Sequence, residues 1–215
     1  MTAELAGLRE GRVPLRVHYQ QGSPLSGHAP ASARVGKLLC ELGLARQLVG
    51  RTGFCIHPAD AVASIPKVGG TKDVNIGKIR ALAPTHLVVN IDENEKPTVD
   101  ALAEFVPNIV VTHPIAPEDN LGLARLMGGI FCADDKAEAW CAAFESELAQ
   151  LRARPKGRAT TVLYCIWQDP WMSVSADTYI ARMLAEIGWS VPQLGEARYP
   201  RFEWSDQLVA GIDGV

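Results

Sequence analysis

One long amphipathic run constrains the fold of this chain more than any other feature. It is DDKAEAWCAAFESELAQLRARPKG, residues 134–157, and its apolar residues recur at alternating steps of four and three, at Ala137, Cys141, Phe144, Leu148 and Leu151. This spacing predicts one α-helix that the closing proline and glycine end. At a rise of 1.5 Å per residue, about 20 residues reach roughly 30 Å, the width of a small domain. The helix could be a strut between two lobes or a long crossover helix, and composition does not separate the two.

Before this run, β-branched segments alternate with helical patterns. The predicted strands are RQLVG, THLVVN and NIVVTHP. The predicted helices are ARVGKLLCELGL, NIGKIRALAP, PTVDALAEFV and PEDNLGLARLMGG. This order predicts a parallel sheet with helices on both faces.

After the run, the alternation resumes only briefly. ATTVLYCIW predicts a strand, DTYIARMLAEIG a helix capped by Asp177, and WSDQLVAG the start of another helix. The closing residues IDGV are typical of a strand that is beginning. One complete βα unit is too small to bury its own core. We therefore expect that the chain lacks the C-terminal part of a second lobe.

Composition and motifs exclude several classes of protein. The net charge is −3 over 215 residues without a basic tail, which argues against nucleic acid as a partner. No apolar run approaches the roughly 20 residues of a membrane helix, and no signal peptide is visible, so the chain is cytoplasmic or its leader has been removed. The five cysteines have no CxxC spacing, which argues against a zinc site or a disulfide framework.

No catalytic constellation emerges from the sequence. The five histidines form no metal-binding or triad signature, and VGGTKD lacks the spacing of a phosphate-binding loop. Its two glycines favour a tight backbone turn instead. The acidic loop NIDENEK follows a predicted strand, and it could be solvated, bind a metal or pair with arginines of a partner. We predict neither a catalytic residue nor a metal site.

Two tryptophans lie close together where the backbone should be exposed. Trp167 ends the predicted strand, and Trp171 and Met172 follow in the loop QDPWMSVSAD at its carboxyl end. The loop tryptophan could pack beneath the long helix, or form an apolar wall for a large planar ligand, since indole rings offer much area at low entropic cost. The residues alone leave both interpretations open.

A resemblance to a known family adds to this reading. The stretch from LLCELGLARQLVG through PKVGGTKDVNIGKIRALAPTHLVVN, the single long helix and the late RYPRFEWSDQLV resemble the class III periplasmic binding proteins. These are the helical-backbone metal receptors that carry vitamin B12, ferric siderophores or haem to ABC importers. The match covers roughly residues 35–215 and is strongest for the cobalamin-binding branch.

The resemblance implies an α/β fold of two Rossmann-like lobes, each a parallel sheet with flanking helices, joined by one long backbone α-helix. We expect an N-terminal lobe at 1–132, the connecting helix at 133–155 and an incomplete C-terminal lobe at 156–215. A cobalamin-like corrinoid or another metal chelate would be held between the lobes of a monomer without an intrinsic cofactor. Membrane subunits of an ABC transporter would be the partner, and the family resemblance implies the periplasm.

The resemblance also assigns residues by position. The wall on the first lobe would consist of Gly69, Gly70, Thr71, Lys72 and Asn90. The wall on the second lobe would consist of Trp167, Trp171, Met172, Tyr199 and Pro200. Glu93 or Glu95 on one lobe and Asp206 on the other would meet arginines of the transporter.

The sequence departs from the family at residues 15–32, which lack the expected apolar strand and small-residue turn of the first ligand loop. The departure favours an alternative hypothesis, an interaction protein of the same fold without a transport role. A Rossmann-type enzyme is a third hypothesis, and the missing phosphate motifs argue against it.

Overall fold

The computed structural model describes residues 31–70 and 73–215, with side chains from residue 35 onward. The fold is mixed α/β, with helices and short parallel sheets. The described chain divides into two compact units. Unit 1 comprises residues 31–70, 73–113 and 122–141, and unit 2 comprises residues 114–121 and 142–215. None of the helices in these ranges is long and apolar enough to cross a membrane.

Unit 1 begins with helix α1, Ala31–Glu41. Its predicted apolar face is buried, and Gly43 ends it with a left-handed φ of 76°. The strand predicted at RQLVG is wrong, because Ala45–Gln47 forms a 3-10 turn. The turn is closed by local bonds, from Gln47 N–H to the carbonyl of Leu44 at 2.9 Å and from Leu48 N–H to that of Ala45 at 3.2 Å, and both leucines are buried.

The centre of unit 1 is a two-stranded parallel sheet. The elements are α2 (Ala59–Val62), α3 (Ile76–Leu82), β1 (His86–Asn90), α4 (Lys96–Ala103), β2 (Asn108–Thr112) and α5 (Asp119–Ile130). Strand β1 is buried at all five positions and pairs with β2 in the register His86↔Asn108 to Asn90↔Thr112. Apolar side chains of β1, of its flanking helices and of the segments next to them form the core, namely Val68, Ile79, Leu87, Val89, Leu102 and Val106. The parallel pairing confirms the prediction from the alternating pattern.

The predicted long helix is present as α6, Asp134–Ala153, 20 residues without a break. It contributes residues 134–141 to unit 1 and residues 142–153 to unit 2. Near its end, Arg152 binds Glu186 through Nε at 2.7 Å and also binds Glu118. The hydrogen bonds from Arg152 lower the pKa of both carboxyls below their ordinary values. The role of this helix as a rigid connector remains a prediction.

Unit 2 contains β3 (Thr160–Thr161), α7 (Tyr179–Glu186), β4 (Trp189–Ser190) and α8 (Asp206–Ala210). Strand β3 pairs in parallel with β4, and Val162 bridges Gly214 in the predicted closing strand. The predicted strand ATTVLYCIW is much shorter than expected, because the backbone beyond Leu163 bonds to a later loop instead.

The sequence predicts Asp177 as the N-cap of helix α7, and this prediction is wrong, because Thr178 is the N-cap. The hydroxyl of Thr178 accepts a hydrogen bond from the backbone N–H of Ala181 at 3.3 Å. The carboxylate of Asp177 accepts one from Ser175 instead. Both residue types favour the N-cap position, so the local sequence does not decide between neighbours.

His86 makes the stability of unit 1 depend on pH. Its side chain is buried at the start of β1, its ring packs edge-on against Phe131 at 5.2 Å, and burial lowers its pKa below the ordinary 6.5. Below about pH 6.5 the unfolded chain therefore binds more protons than the folded one. We expect the free energy of unfolding to fall from pH 7.5 to 5.5, by up to about 1.4 kcal/mol per pH unit.

Urea denaturation at several pH values measures this effect, and His86→Phe is the control. The rest of the sequence is the same in both proteins, so the difference between the two curves isolates His86. Equal slopes in wild type and variant between pH 7.5 and 5.5 would contradict a buried neutral imidazole.

Candidate functional site

Three backbone segments of unit 2 form an irregular antiparallel platform, residues 164–167, 171–175 and 198–202. Ile166 N–H donates to the carbonyl of Met172 at 2.9 Å, and Met172 N–H donates to the carbonyl of Trp167 at 3.0 Å. Two consecutive residues thus oppose one, which is the pattern of a β-bulge. A bulge changes the direction in which the neighbouring side chains point, and bulges are common next to functional sites.

The third segment pairs with the second on its other edge. Ser173 N–H donates to the carbonyl of Pro200 at 3.0 Å, and Phe202 N–H donates to the carbonyl of Trp171 at 3.1 Å. Met172 and Arg201 are therefore directly opposed. The pairing brings the five residues predicted for the second lobe into one platform, namely Trp167, Trp171, Met172, Tyr199 and Pro200.

The far end of the platform is held by polar contacts. Ser175 N–H donates to the carbonyl of Arg198 at 2.9 Å, and Arg198 Nε lies 3.5 Å from a carboxylate oxygen of Asp177. The Ser175 hydroxyl donates to the same carboxylate and, with Arg198, lowers the pKa of Asp177 below its ordinary value. The ionised carboxylate therefore interacts with both the Ser175 hydroxyl and the Arg198 guanidinium at this end of the platform.

Three rings on this platform form an aromatic cluster, Trp171, Phe202 and Trp204. Trp204 packs edge-on against Trp171 and Phe202, with ring centroids 5.5 and 5.3 Å apart. The ring centroids of Trp171 and Phe202 are 6.2 Å apart. Trp204 remains 41% exposed, while the other two are half-buried. The cluster thus presents indole surface to solvent from rings that are held in place by one another.

The predicted residues of unit 2 do not all face the same way. Side chains of directly opposed residues project to one face of a β-ribbon, and their chain neighbours project to the other. Met172 and Arg201 therefore share a face, and Trp171 and Phe202 share the opposite one. Trp167 bridges Met172 and is 40% exposed, so it belongs to the first face and lies outside the aromatic cluster.

Tyr199 and Pro200 occupy the third segment. Pro200 is buried and contributes its carbonyl to the pairing, whereas the half-buried ring of Tyr199 lies 5.7 Å from the guanidinium of Arg198. Of the pair, Tyr199 has the side-chain surface for contact with a ligand.

In unit 1, the predicted glycines form a tight turn. Gly69 has φ +112° and bridges Val74, and Gly70 N–H donates to the carbonyl of Asp73 at 3.1 Å. A Cβ atom at Gly69 would lie 2.1 Å from the Asp73 oxygen, so this position requires glycine. The predicted Thr71 and Lys72 lie outside the described residues.

Asn90 shapes the acidic loop that follows β1. It is 3% exposed, its Oδ1 accepts from the backbone N–H of Asp92 at 2.9 Å, and its own N–H donates to Asn94 Oδ1 at 2.8 Å. These bonds present the half-buried Glu93 and the exposed Glu95 at the carboxyl end of β1. Asp206, predicted with them, is exposed as the first residue of α8.

The described residues contain no group of three His, Cys, Asp or Glu side chains placed to hold a metal ion. Burial raises the pKa of the Cys55 thiol to about 11, so it is not a nucleophile at neutral pH.

Sequence reasoning missed Phe202 and Trp204. Their signal was the alternation RFEW, which places two rings on one side of an extended segment. Phe54 was missed as well. Its ring lies 4.0 Å from the Cβ position of Gly70, beside the predicted turn.

A family model described as periplasmic binding protein matches residues 31–198. No curated protein sequence matches the chain.

Several solved structures share the fold. The periplasmic vitamin B12 binding protein of Vibrio cholerae superposes with a TM-score of 0.75 at 15% identity, covering 90% of this chain and 71% of its own. A periplasmic heme binding protein of Pseudomonas aeruginosa gives 0.72 at 17% identity, with 93% and 69% covered. Haem-bound IsdE of S. aureus gives 0.70 at 15% identity, with 91% and 72% covered. At these identities the likeness is one of fold.

Proposed function

The chain belongs to the periplasmic binding protein family, and from this premise we propose that it binds a metal chelate as the substrate-binding component of an ABC importer. The favoured ligand is a cobalamin-like corrinoid, with haem or a ferric siderophore as alternatives of the same class. The observation that carries the proposal is the aromatic cluster, whose exposed Trp204 is fixed by Trp171 and Phe202.

The physical match between cluster and chelate lies in shape and polarity. Corrins and porphyrins are broad, rigid and largely apolar, and indole rings bury much area against them at low entropic cost. Three mutually packed rings are already ordered before the ligand arrives, which reduces the entropy lost on binding. Binding proteins with B12 or heme in their names are among the structures that share this fold.

We propose that unit 1, taken by itself, also carries a surface that contacts the ligand. Gly69 forms the turn, and Gly70 presents backbone without a side chain, which allows close approach of a bulky ligand. Asn90 is buried and acts by shaping the loop after β1, while Phe54 adds a ring beside the glycine turn. We propose that the protein binds its ligand without chemical change and has no intrinsic cofactor.

The partner proposed for this protein is the membrane component of the importer. Glu95 and Asp206 are exposed carboxylates, and Glu93 is half-buried beside the first of them. Carboxylates on a surface pair favourably with arginines of another protein and steer the encounter between them. In this proposal the protein acts as a monomer in the periplasm.

The test is direct binding of coloured chelates. The full chain is mixed in turn with cyanocobalamin and with haemin, passed through gel filtration and examined by absorption spectroscopy. We expect one pigment to elute with the protein in saturable proportion, with a shifted absorption band.

Trp171→Ala supplies the control for specific binding, because it removes the central ring of the aromatic cluster. Pigment that elutes free of the wild-type protein would contradict the proposal and support an interaction protein of the same fold. A nucleotide that co-purifies and is identified by mass spectrometry would instead support an enzyme.

A further inference from the structure

Arg51 is a buried cation in unit 1 whose guanidinium is bonded to main-chain carbonyls. Its side chain is 8% exposed. Nε lies 2.9 Å from the carbonyl of Val62 and 3.1 Å from that of Ile65. Nη1 lies 2.9 Å from the carbonyl of Cys55 and 3.3 Å from that of Thr52. One side chain therefore joins the beginning and the end of the segment 52–67, called the loop below.

The backbone of Arg51 reinforces this closure. Its N–H donates to the carbonyl of Pro66 at 3.0 Å, and its carbonyl accepts from Val68 N–H at 3.0 Å. These bonds form an isolated parallel bridge with Lys67. Main chain and side chain of one residue thus set the register between the two ends of the loop.

The two ends lead directly into the proposed ligand surface. Gly53 N–H donates to the carbonyl of Gly69 at 3.1 Å. Phe54 follows on one side and its ring lies against Gly70 on the other, 4.0 Å from the Cβ position. A change in register at Arg51 would therefore displace both the ring and the glycine turn.

The loop depends on arginine in particular. A guanidinium presents five donors in a fixed planar fork, whereas an ammonium is a compact charge that cannot span the same carbonyls. Buried carbonyls that lose their donor are costly, and the loop already carries a buried hydroxyl, Thr52 Oγ1, without a partner among the described residues.

We infer that Arg51 is a positioning residue that holds Phe54, Gly69 and Gly70 in the arrangement that contacts the ligand. The inference rests on the proposed function for its ligand half. Its structural half, that Arg51 keeps the two ends of the loop in register, stands on the bonds above.

The test compares Arg51→Met with a control variant, Met127→Ala. The control shortens a fully buried side chain of α5 and removes none of the hydrogen bonds that Arg51 makes. The two variants are studied at urea concentrations that give equal global stability. We expect the amides of Gly53 and Val68 to exchange with solvent about tenfold faster in Arg51→Met than in the control. We expect the Kd for the bound chelate, cyanocobalamin or haemin, to rise about tenfold in Arg51→Met alone.

Arg51→Lys adds a graded comparison, and we expect partial recovery of amide protection because the charge and some donors remain. Exchange at Gly53 and Val68 that matches the Met127→Ala control would overturn the inference, as would equal chelate affinity in the two variants. Wild-type protein that binds neither chelate would refute the proposed function and the ligand half together. The exchange comparison alone then decides whether Arg51 holds the loop.

Discussion

Trp204→Ala is expected to raise the Kd for the bound chelate by about thirtyfold or more, the loss of about 2 kcal/mol that marks an energetic hot spot. The indole is the most exposed ring of the aromatic cluster, at 41%, and its orientation is fixed by edge-on packing against Trp171 and Phe202. Such a ring offers area to a planar ligand without first being ordered. Titration of cyanocobalamin or haemin, followed by absorption, measures the change.

Trp189→Ala is the matched control for this prediction. Trp189 lies in the same unit and is 40% exposed, but it belongs to β4 and pairs with Thr160. Both variants lose one indole of nearly equal exposure, so effects on solubility and general stability are similar. We expect unchanged chelate affinity in Trp189→Ala. An equal loss of chelate affinity in the two variants would contradict the prediction, and the aromatic cluster would then serve the structure of the platform and not ligand binding.

The aromatic cluster shows what sequence reasoning could and could not supply for the site. Trp167 and Trp171 were proposed for the site because the sequence predicts a strand that ends at Trp167, and such ends are a common place for ligands. The observed strand β3 ends at Thr161, and ligand contact by the two rings stays a prediction. Phe202 and Trp204 come from a segment that approaches only through the pairing of Phe202 N–H with the Trp171 carbonyl. No local pattern encodes that long-range pairing, so the alternation RFEW alone did not place the two rings.

The same distinction separates correct from incorrect predictions of the fold. Helix α1 and strand β1 were predictable because their apolar residues repeat at helical spacing or form a continuous buried run. The 3-10 turn at Ala45–Gln47 and the early end of β3 were not. The end of β3 depends on which distant backbone groups are available as partners, whereas the 3-10 turn is closed by local bonds. Short apolar runs do not distinguish strand from turn in either case.

Gly69→Ala is expected to destabilise the protein by about 2 to 4 kcal/mol. The backbone at Gly69 has φ +112°, a conformation that residues with a side chain rarely adopt. The added Cβ would also lie 2.1 Å from the carbonyl oxygen of Asp73, a backbone atom that moves only if the turn opens. Urea denaturation followed by circular dichroism measures the loss.

Gly122→Ala is the matched control and should change stability in the opposite direction. Gly122 lies within α5, and a Cβ placed there meets no atom within 4 Å. Alanine in a helix is favoured over glycine by about 0.5–1 kcal/mol, chiefly because the unfolded chain loses less entropy. The same methyl group is thus expected to stabilise one position and to destabilise the other. If Gly69→Ala were tolerated as well as Gly122→Ala, the turn would not require glycine, and the close approach of ligand to bare backbone at this place would lose its structural basis.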